Sequence, residues 1–442
     1  MNAFGVLFAL ISSIFLFGVP RRWALLPLLT GTVYMTVGQV VEIGPFHFDV
    51  IRLLVAVGWI RVFVKGEKLV GKRLALDWMM ILWAIWGVIS SLFHEKPLEM
   101  LVSMLGLAYD GVGLYFLMRV FIEDEEAVLL LAKAVCIALV PVALEMISEK
   151  ITGHNSFAAL GYVTADVLVR HGKLRAQGPF AHSILAGTAG AVCMPLALLL
   201  WSRDRKLAVL GLLATGTMVI TSTSSGPIMT AAACFGAMFL WRYRNWVPMI
   251  RWGCVLSLVA LNFIMKDPVY YLLARIDLTG SSTGWHRAAL IGASIKYLNE
   301  WWLFGTDYTR HWMPTGVYWT SKHTDITNHY LKMGVDGGML LMFLFIGIVV
   351  AAFVAVSRAI KHVEDDSEDR AWLMWVLGCI LFGHAVTFVS VSYFDQTIVF
   401  FYLVLAAIGS YYSAITAEPS SEEPPEDSVE SEDVPESVVG YG

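Results

Sequence analysis

The sequence predicts an all-α fold: a polytopic membrane helical bundle of about 12–13 spans, with two long loops carrying short amphipathic helices. Three observations predict it. The chain is 57% hydrophobic and only 15% charged, where a soluble domain is roughly 45–50% apolar and about 25% charged. Its apolar residues come in runs long enough to cross lipid, about 17–25 residues each. Its Lys and Arg residues fall in alternate connections between those runs.

In order, the apolar runs are Asn2–Val19, Trp23–Val41, Phe48–Val64, Leu76–Phe93, Leu98–Phe121, Ala127–Ile147, Phe180–Trp201, Leu207–Thr221, Gly226–Trp241, Trp246–Met265, His329–Val356, Ala371–Val389 and Thr397–Thr416. The first and eighth are the least marked. Only helices and closed barrels satisfy backbone groups in lipid, and these runs are too long and too unalternating for barrel strands. No basic n-region precedes Met1–Val19 and no small-residue cleavage pattern follows it, so the run reads as a span and not a leader.

The basic residues orient the bundle. Arg21–Arg22, Lys65 to Arg73, Arg203 to Lys206, Arg242 to Arg251 and Arg358 to Arg370 occupy one set of connections, which the positive-inside rule makes cytoplasmic. Two long loops, 148–179 and 266–328, then share the outer face. The membrane domain covers 1–416. An acidic, Pro-rich segment, 417–442, follows and is expected to be a disordered cytoplasmic tail. That tail dominates the formal net charge of -5, which therefore says little about partners. Cys136, Cys193, Cys234, Cys254 and Cys379 lie inside apolar runs without metal or redox spacing, and read as small buried hydrophobes.

The second loop is the least lipid-like stretch. It holds Arg275, Arg287, Arg310, His311, His323 and His329 beside Trp285, Trp301, Trp302, Trp312 and Trp319. Guanidinium groups pair oxyanions bidentately and indole rings cover apolar sugar faces, so a ligand with phosphate and sugar fits. The plainer alternative is an extramembrane cap whose tryptophans sit at the headgroups. Trp285–Leu298 reads as an amphipathic helix with Ala288, Ile291, Ile295 and Leu298 on one face, after a start signal in Gly280–Gly284. Arg287 lies in its first turn, where an anion would meet both guanidinium and free N–H groups; on spacing alone an exposed surface arginine is the favoured alternative.

In the first loop, Arg170, His171, Lys173, Arg175 and His182 bracket KLRAQGPFAHSILAG, with a Gly178–Pro179 turn before a span. Headgroup snorkelling accounts for Lys173, and competes evenly with ligand binding for Arg175. His329 opens a span where the second loop re-enters the membrane, and an imidazole there suits proton transfer. His323, Asp325 and His329 fit no zinc spacing, so no metal or other cofactor is expected. Asp110 and Asp336 lie within spans and keep a proton-coupled carrier in view, although the chain shows no internal repeat. Arg52 and Arg61 lie near span ends, where snorkelling is expected.

Taken together, R-x-x-G-P-F-x-H at Arg175–His182, T-S-T-S-S-G at Thr221–Gly226, Arg287 in a Trp-rich loop and N-H-Y-L at Asn328–Leu331 resemble the O-antigen ligase and O-antigen polymerase superfamily. FDVIRLL in the third run and ALEMISEKITGHNSF after the sixth fit too, so the resemblance covers most of 48–416. It implies a metal-independent integral-membrane glycosyltransferase of the bacterial inner membrane, with its active face in the periplasm. Such an enzyme moves a glycan from an undecaprenyl-pyrophosphate carrier to lipid A core or to a growing chain. Its partners are that lipid-linked donor, the glycan or lipid A core acceptor and membrane lipid, with no nucleic acid. By match of motif, Arg287 and His329 inherit catalytic roles. Arg175, His182, Arg310 and Trp285 become candidate substrate contacts. The chain departs from the family at Ser224–Ser225–Gly226, where many members carry S-R-G. Either Arg175 or Arg310 supplies the missing charge, or the donor differs, or the chain is a weakly active relative; if another arginine has taken over, Ser225→Arg is expected to be tolerated. The rival class is a transporter or flippase of lipid-linked glycans, which would gather its basic and aromatic residues near the midplane instead of in the loops.

Overall fold

A computed structural model describes residues 1–275 and 284–417. The Gly280–Thr283 part of the expected helix start and the acidic segment 418–442 lie outside the described residues.

The structure is mostly helical. Its principal helices are α1 (Ala3–Gly18), α2 (Leu25–Tyr34), α3 (Val50–Lys65), α4 (Ala75–Ser91), α5 (Pro97–Phe121), α6 (Glu125–Thr152), α7 (Ser183–Leu199), α8 (Arg205–Thr221), α9 (Ser225–Phe239), α10 (Val247–Ile264), α11 (Gly284–Lys296), α12 (His329–Val363), α13 (Glu368–Phe388) and α14 (Thr397–Ala417). Two antiparallel hairpins join them: β1 (Val40–Ile43) with β2 (Phe46–Asp49), and β3 (Leu168–Arg170) with β4 (Lys173–Arg175). Six helical stretches are long and apolar enough to cross a membrane: α5, α6, the continuous Ser225–Ile264, α12, α13 and α14. α1, α4 and α7 are shorter apolar helices. This composition marks a multi-pass membrane protein.

α14 is the most enclosed, with Val399–Ser410 buried without interruption among α5, α13 and α12. α10 is the opposite extreme: none of its residues is buried. An apolar helix exposed all round is stable only against lipid. Cys254 therefore departs from the expectation of burial, while the other four cysteines are buried.

Several charged residues near span ends do not snorkel. The Arg52 guanidinium grips Asp110 with two bonds, Nε to Oδ1 at 2.8 Å and Nη2 to Oδ2 at 2.6 Å. Asp110 sits on a π-helical turn, Tyr109–Gly113, whose wider winding is a common device at special positions. Arg61 is buried and bonds Glu67 at 2.7 Å and the Val19 carbonyl at 3.0 Å. Asp77, Tyr115, Arg119 and Ser413 form a buried network linking α4, α5 and α14. A charge without water requires a partner, and the partners lie on other elements where sequence order does not place them.

Two expected elements differ in form. Trp23–Val41 is not one span: α2 has ten residues, about 15 Å of helix, and cannot cross a core of about 30 Å. The chain then turns at Gly38, where a Cβ would lie 2.6 Å from the Tyr162 Cβ. α12 is interrupted at Gly337 and Gly338. Gly338 has φ +80°, and a Cβ there would meet the Leu303 carbonyl oxygen at 2.1 Å. The 302–306 passage fills the break, with Thr306 N–H donating to Val335 O and Met339 N–H to Trp302 O. His94 holds the same place from the α4–α5 connection, bonding Asp307 at 2.9 Å and Phe304 O at 3.0 Å.

Candidate functional site

The β3–β4 hairpin turns through His171 and Gly172, both left-handed at φ +49° and +73°. It lifts Arg170 and then returns the chain inward so that Arg175 is buried. The segment after Arg175 has no regular structure, yet its polar groups are taken. Ala176 N–H donates to Thr221 O at 3.2 Å. Gln177 and Gly178 N–H donate to the two Glu149 carboxylate oxygens at 2.9 and 2.6 Å. Asn155 Nδ2 donates to Gly178 O at 2.9 Å, and Gln396 Nε2 to Pro179 O at 2.9 Å. Ala181 N–H donates to Asp395 Oδ2 at 2.9 Å. Gly178 has φ +57°, which favours glycine, and faces Val142. A buried loop requires this accounting, and here it fixes the Arg175 backbone firmly.

Arg175 Nη2 donates to the hydroxyl of Ser224, the N-cap residue of α9. Its Nε is buried without a partner. Burial and the nearby charge of Arg170 push the guanidinium down to about 10, so it stays charged at neutral pH. This places a cation beside Ser224–Ser225, where the family resemblance expects one. Ser225 itself is buried. The expectation that Ser225→Arg is tolerated is therefore withdrawn: a second guanidinium would be forced into a small buried space beside the first. We expect Ser225→Arg to impair the protein alone and to restore part of the function lost in Arg175→Ala. A transfer assay on the two single variants and the double variant tests this. No gain of the double over Arg175→Ala would show that the two positions do not share one charge.

Arg287 stands in the first turn of α11, half-buried. Among the described residues it has no hydrogen bond or ion pair, and its Nε is buried without a partner. Burial and the charge of Arg170 push it below the ordinary arginine range, while Asp325 pulls it back. Arg170 acts in the same way on Arg175 and His182. One residue of the first long connection thus repels groups on both connections, which puts Arg170, Arg175, Arg287 and His182 in one neighbourhood. None of the three arginines is ion-paired among the described residues. Clustered cations of this kind call for a multivalent anion.

His182 is the N-cap residue of α7, and its Nδ1 accepts from Ile184 N–H at 3.0 Å. Burial, then Arg175 and Arg170, push the imidazole down to about 4. The unfolded chain takes up a proton near 6.5 that the folded one refuses until about 4. Stability from the neutral cap is therefore complete above about 6.5 and is lost as pH falls through 4, by at most about 1.4 kcal/mol per unit. Melting of the detergent-solubilised protein should fall across that window. His182→Asn, which still caps the helix, should flatten the fall.

His329 is the first residue of α12 and is buried. Asn328 fixes it from behind, with Oδ1 accepting from Leu331 N–H at 3.0 Å and Nδ2 donating to Val389 O at 3.1 Å. The imidazole stacks on Phe388 at 4.7 Å and meets the edge of Phe345 at 5.1 Å. Its Nδ1 lies 3.2 Å from Ser392 Oγ and accepts from Tyr393 N–H at 3.3 Å. Among the described residues Nε2 has no hydrogen-bond partner.

One segment, 389–396, joins these parts. Ser392 and Tyr393 hold His329, while Asp395 and Gln396 hold the connector after Arg175. In the sequence this connection carries no basic residue and no motif that marks it. The available signal was a lone carboxylate, Asp395, between two apolar runs. Glu149 and Asn155 stand out in the sequence only within the ALEMISEKITGHNSF resemblance.

The other expected contacts lie elsewhere. Arg310 Nη1 donates to Met313 O at 2.8 Å and Gly316 O at 3.1 Å, and its Nη2 to Pro314 O at 2.5 Å. It braces its own loop. Trp285 is exposed beside Arg287. Trp301 and Trp312 are buried with Leu290, Ile326 and Leu331 in a small separate core. α11 buries Gly284, His286, Ala288, Leu290 and Ser294, while Ile295 and Leu298 are exposed. The expected apolar face is rotated because His286 turns inward to the Asp325 carbonyl at 3.1 Å. Lys332 pairs with Asp336 at 2.6 Å, so Asp336 is not a free intramembrane acid.

The geometry and the spans define a helical multi-pass membrane protein with arginines that feel one another's charge and a buried histidine held by the 389–396 segment that also holds the Arg175 connector. The chain matches no family model and no curated protein.

Proposed function

We propose that this protein is a metal-independent membrane glycosyltransferase that takes a glycan from a polyprenyl-pyrophosphate carrier and passes it to lipid A core or to a growing chain. The single observation behind this reading is the cluster of Arg170, Arg175 and Arg287, unpaired among the described residues and drawn from both long connections. Such charge suits a pyrophosphate leaving group, because donors aimed at developing negative charge lower the barrier. His329, tied to the same segment as the Arg175 connector, meets the reacting oxygens. The acceptor hydroxyl oxygen bonds to the anomeric carbon, the bond from that carbon to the phosphate oxygen breaks with its electron pair on the pyrophosphate, and the hydroxyl proton ends on a pyrophosphate oxygen. In this reading about 12–13 helices surround the site, both long connections are periplasmic and the acidic segment is cytoplasmic.

The interruption of α12 at Gly337–Gly338 favours a second reading, since broken helices are typical of carriers. The arginines lie in the connections, which supports catalysis over carriage. Purified protein in liposomes, given a lipid-linked glycan and an acceptor, distinguishes the two. Covalent transfer is the expected result. Movement of the intact lipid-linked glycan between leaflets without transfer would overturn it. Reporter fusions at Gly161 and Gly316 should place both connections on the side away from the cytoplasm. Opposite signals would dissolve the shared site.

A further inference from the structure

The two hydrogen bonds at His329 Nδ1 fix what the other nitrogen can do. A backbone amide has a proton and no lone pair to share, so it can only donate. Tyr393 N–H points at Nδ1 at 3.3 Å, and the Ser392 hydroxyl lies 3.2 Å from the same atom. Nδ1 is therefore the bare, accepting nitrogen. In a neutral imidazole the proton then sits on Nε2. Protonating Nδ1 as well would set its hydrogen against the amide hydrogen. Phe388 and Phe345 pack on the ring, and a turn of the ring about its Cβ–Cγ bond would put the Cδ2 carbon, which has no lone pair, opposite the Tyr393 amide.

We infer that His329 serves the transfer reaction as a hydrogen-bond donor through Nε2–H, and not as the base that removes the acceptor's proton. This rests on the proposed glycan transfer for its substrate, but the tautomer stands on the geometry alone. Nε2 carries a hydrogen and cannot receive another. It joins the arginine cluster as a neutral donor to a pyrophosphate oxygen. The balance of the step is complete without it. The acceptor oxygen forms the new bond to the anomeric carbon. The old bond from that carbon to the phosphate oxygen breaks, and its electron pair stays on the pyrophosphate. The hydroxyl proton passes to a pyrophosphate oxygen, which that pair makes more basic. Nε2–H is bonded to the anion throughout and transfers nothing.

The role separates two substitutions that a base would not. The amide nitrogen of glutamine reaches the place of Nε2 and donates, whereas that of asparagine reaches only the place of Nδ1. His329→Gln should keep transfer within about tenfold of the parent. His329→Asn and His329→Ala should each lose about 10²–10³. A Gln variant as inactive as the Ala variant, at equal expression and monodispersity, overturns the donor role.

The second measurement needs no substrate. The full chain is labelled with ¹⁵N-histidine in detergent micelles, and the His329 signals are assigned by their loss in His329→Ala. The expected spectrum at neutral pH has a protonated ε nitrogen and a bare δ nitrogen. A protonated δ nitrogen overturns the inference whatever the protein transfers. If the ε tautomer is found and the parent transfers no glycan, the reading of the function fails while the tautomer holds.

Discussion

Arg287→Ala and His329→Ala should each abolish glycan transfer while leaving a folded, membrane-inserted protein. For Arg287 the argument is that its side chain supports nothing in the fold. It has no hydrogen bond or ion pair among the described residues, it is half-buried, and Arg170 repels it. Removing it relieves repulsion, so the variant should melt at or slightly above the parent. A desolvated guanidinium near a second cation, with no ion pair among the described residues, suits an anion that binds there. Removing such a donor typically costs about 10²–10³ in rate. Arg287→Lys should rescue only in part, since an ammonium keeps the charge and loses the bidentate fork. Near-normal transfer by Arg287→Ala would remove the anion reading at this residue. His329→Ala differs in stability: the imidazole fills an aromatic pocket and accepts two hydrogen bonds, so its loss should also lower the melting point. His329 is buried although it opens a span where the second loop re-enters the membrane.

What was legible in the sequence follows from what periodicity and composition can carry. Long apolar runs name helices directly, and thirteen runs correspond to helical segments, with Trp23–Val41 the shortest in helix. Contacts between distant residues leave no such trace. Arg52 and Asp110 are individually conspicuous, but nothing in their spacing reveals that they meet. The same holds for Glu149 with Gln177, or His329 with Ser392. Arg170 was read as one basic residue in a loop. Its role is evident only once the β3–β4 hairpin brings its charge to bear on Arg175, His182 and Arg287. Arg310 shows the converse: a basic residue among tryptophans looked like a ligand contact, but three carbonyls of its own loop were near enough to take it. Local backbone acceptors compete for any arginine in a long loop, and composition does not weigh that competition.

The other large effect is expected at a residue that touches no ligand. Glu149 is fully buried at the end of α6, and its two oxygens take the N–H groups of Gln177 and Gly178. Glu149→Ala orphans both donors inside the protein. A buried group left unmade costs about 1–3 kcal/mol, so the variant should be destabilised by roughly 2–6 kcal/mol if the connector does not rearrange to find other acceptors. Glu149→Gln keeps one acceptor and sets its NH₂ against the other N–H, so its loss should be intermediate. The consequence for function runs through Arg175, two residues before the first orphaned amide. A reacting group misplaced by about 1 Å can lose about 10² in rate. Transfer by the folded fraction of Glu149→Ala should therefore fall by about that factor, beyond what unfolding explains. Thermal melting in detergent gives the first quantity, and transfer at a temperature well below the midpoint gives the second. If melting is unchanged, the carboxylate does not hold the connector. If melting falls while transfer per folded molecule stays at the parent level, the connector is structural and Arg175 is positioned by Ser224 and the β3–β4 hairpin alone.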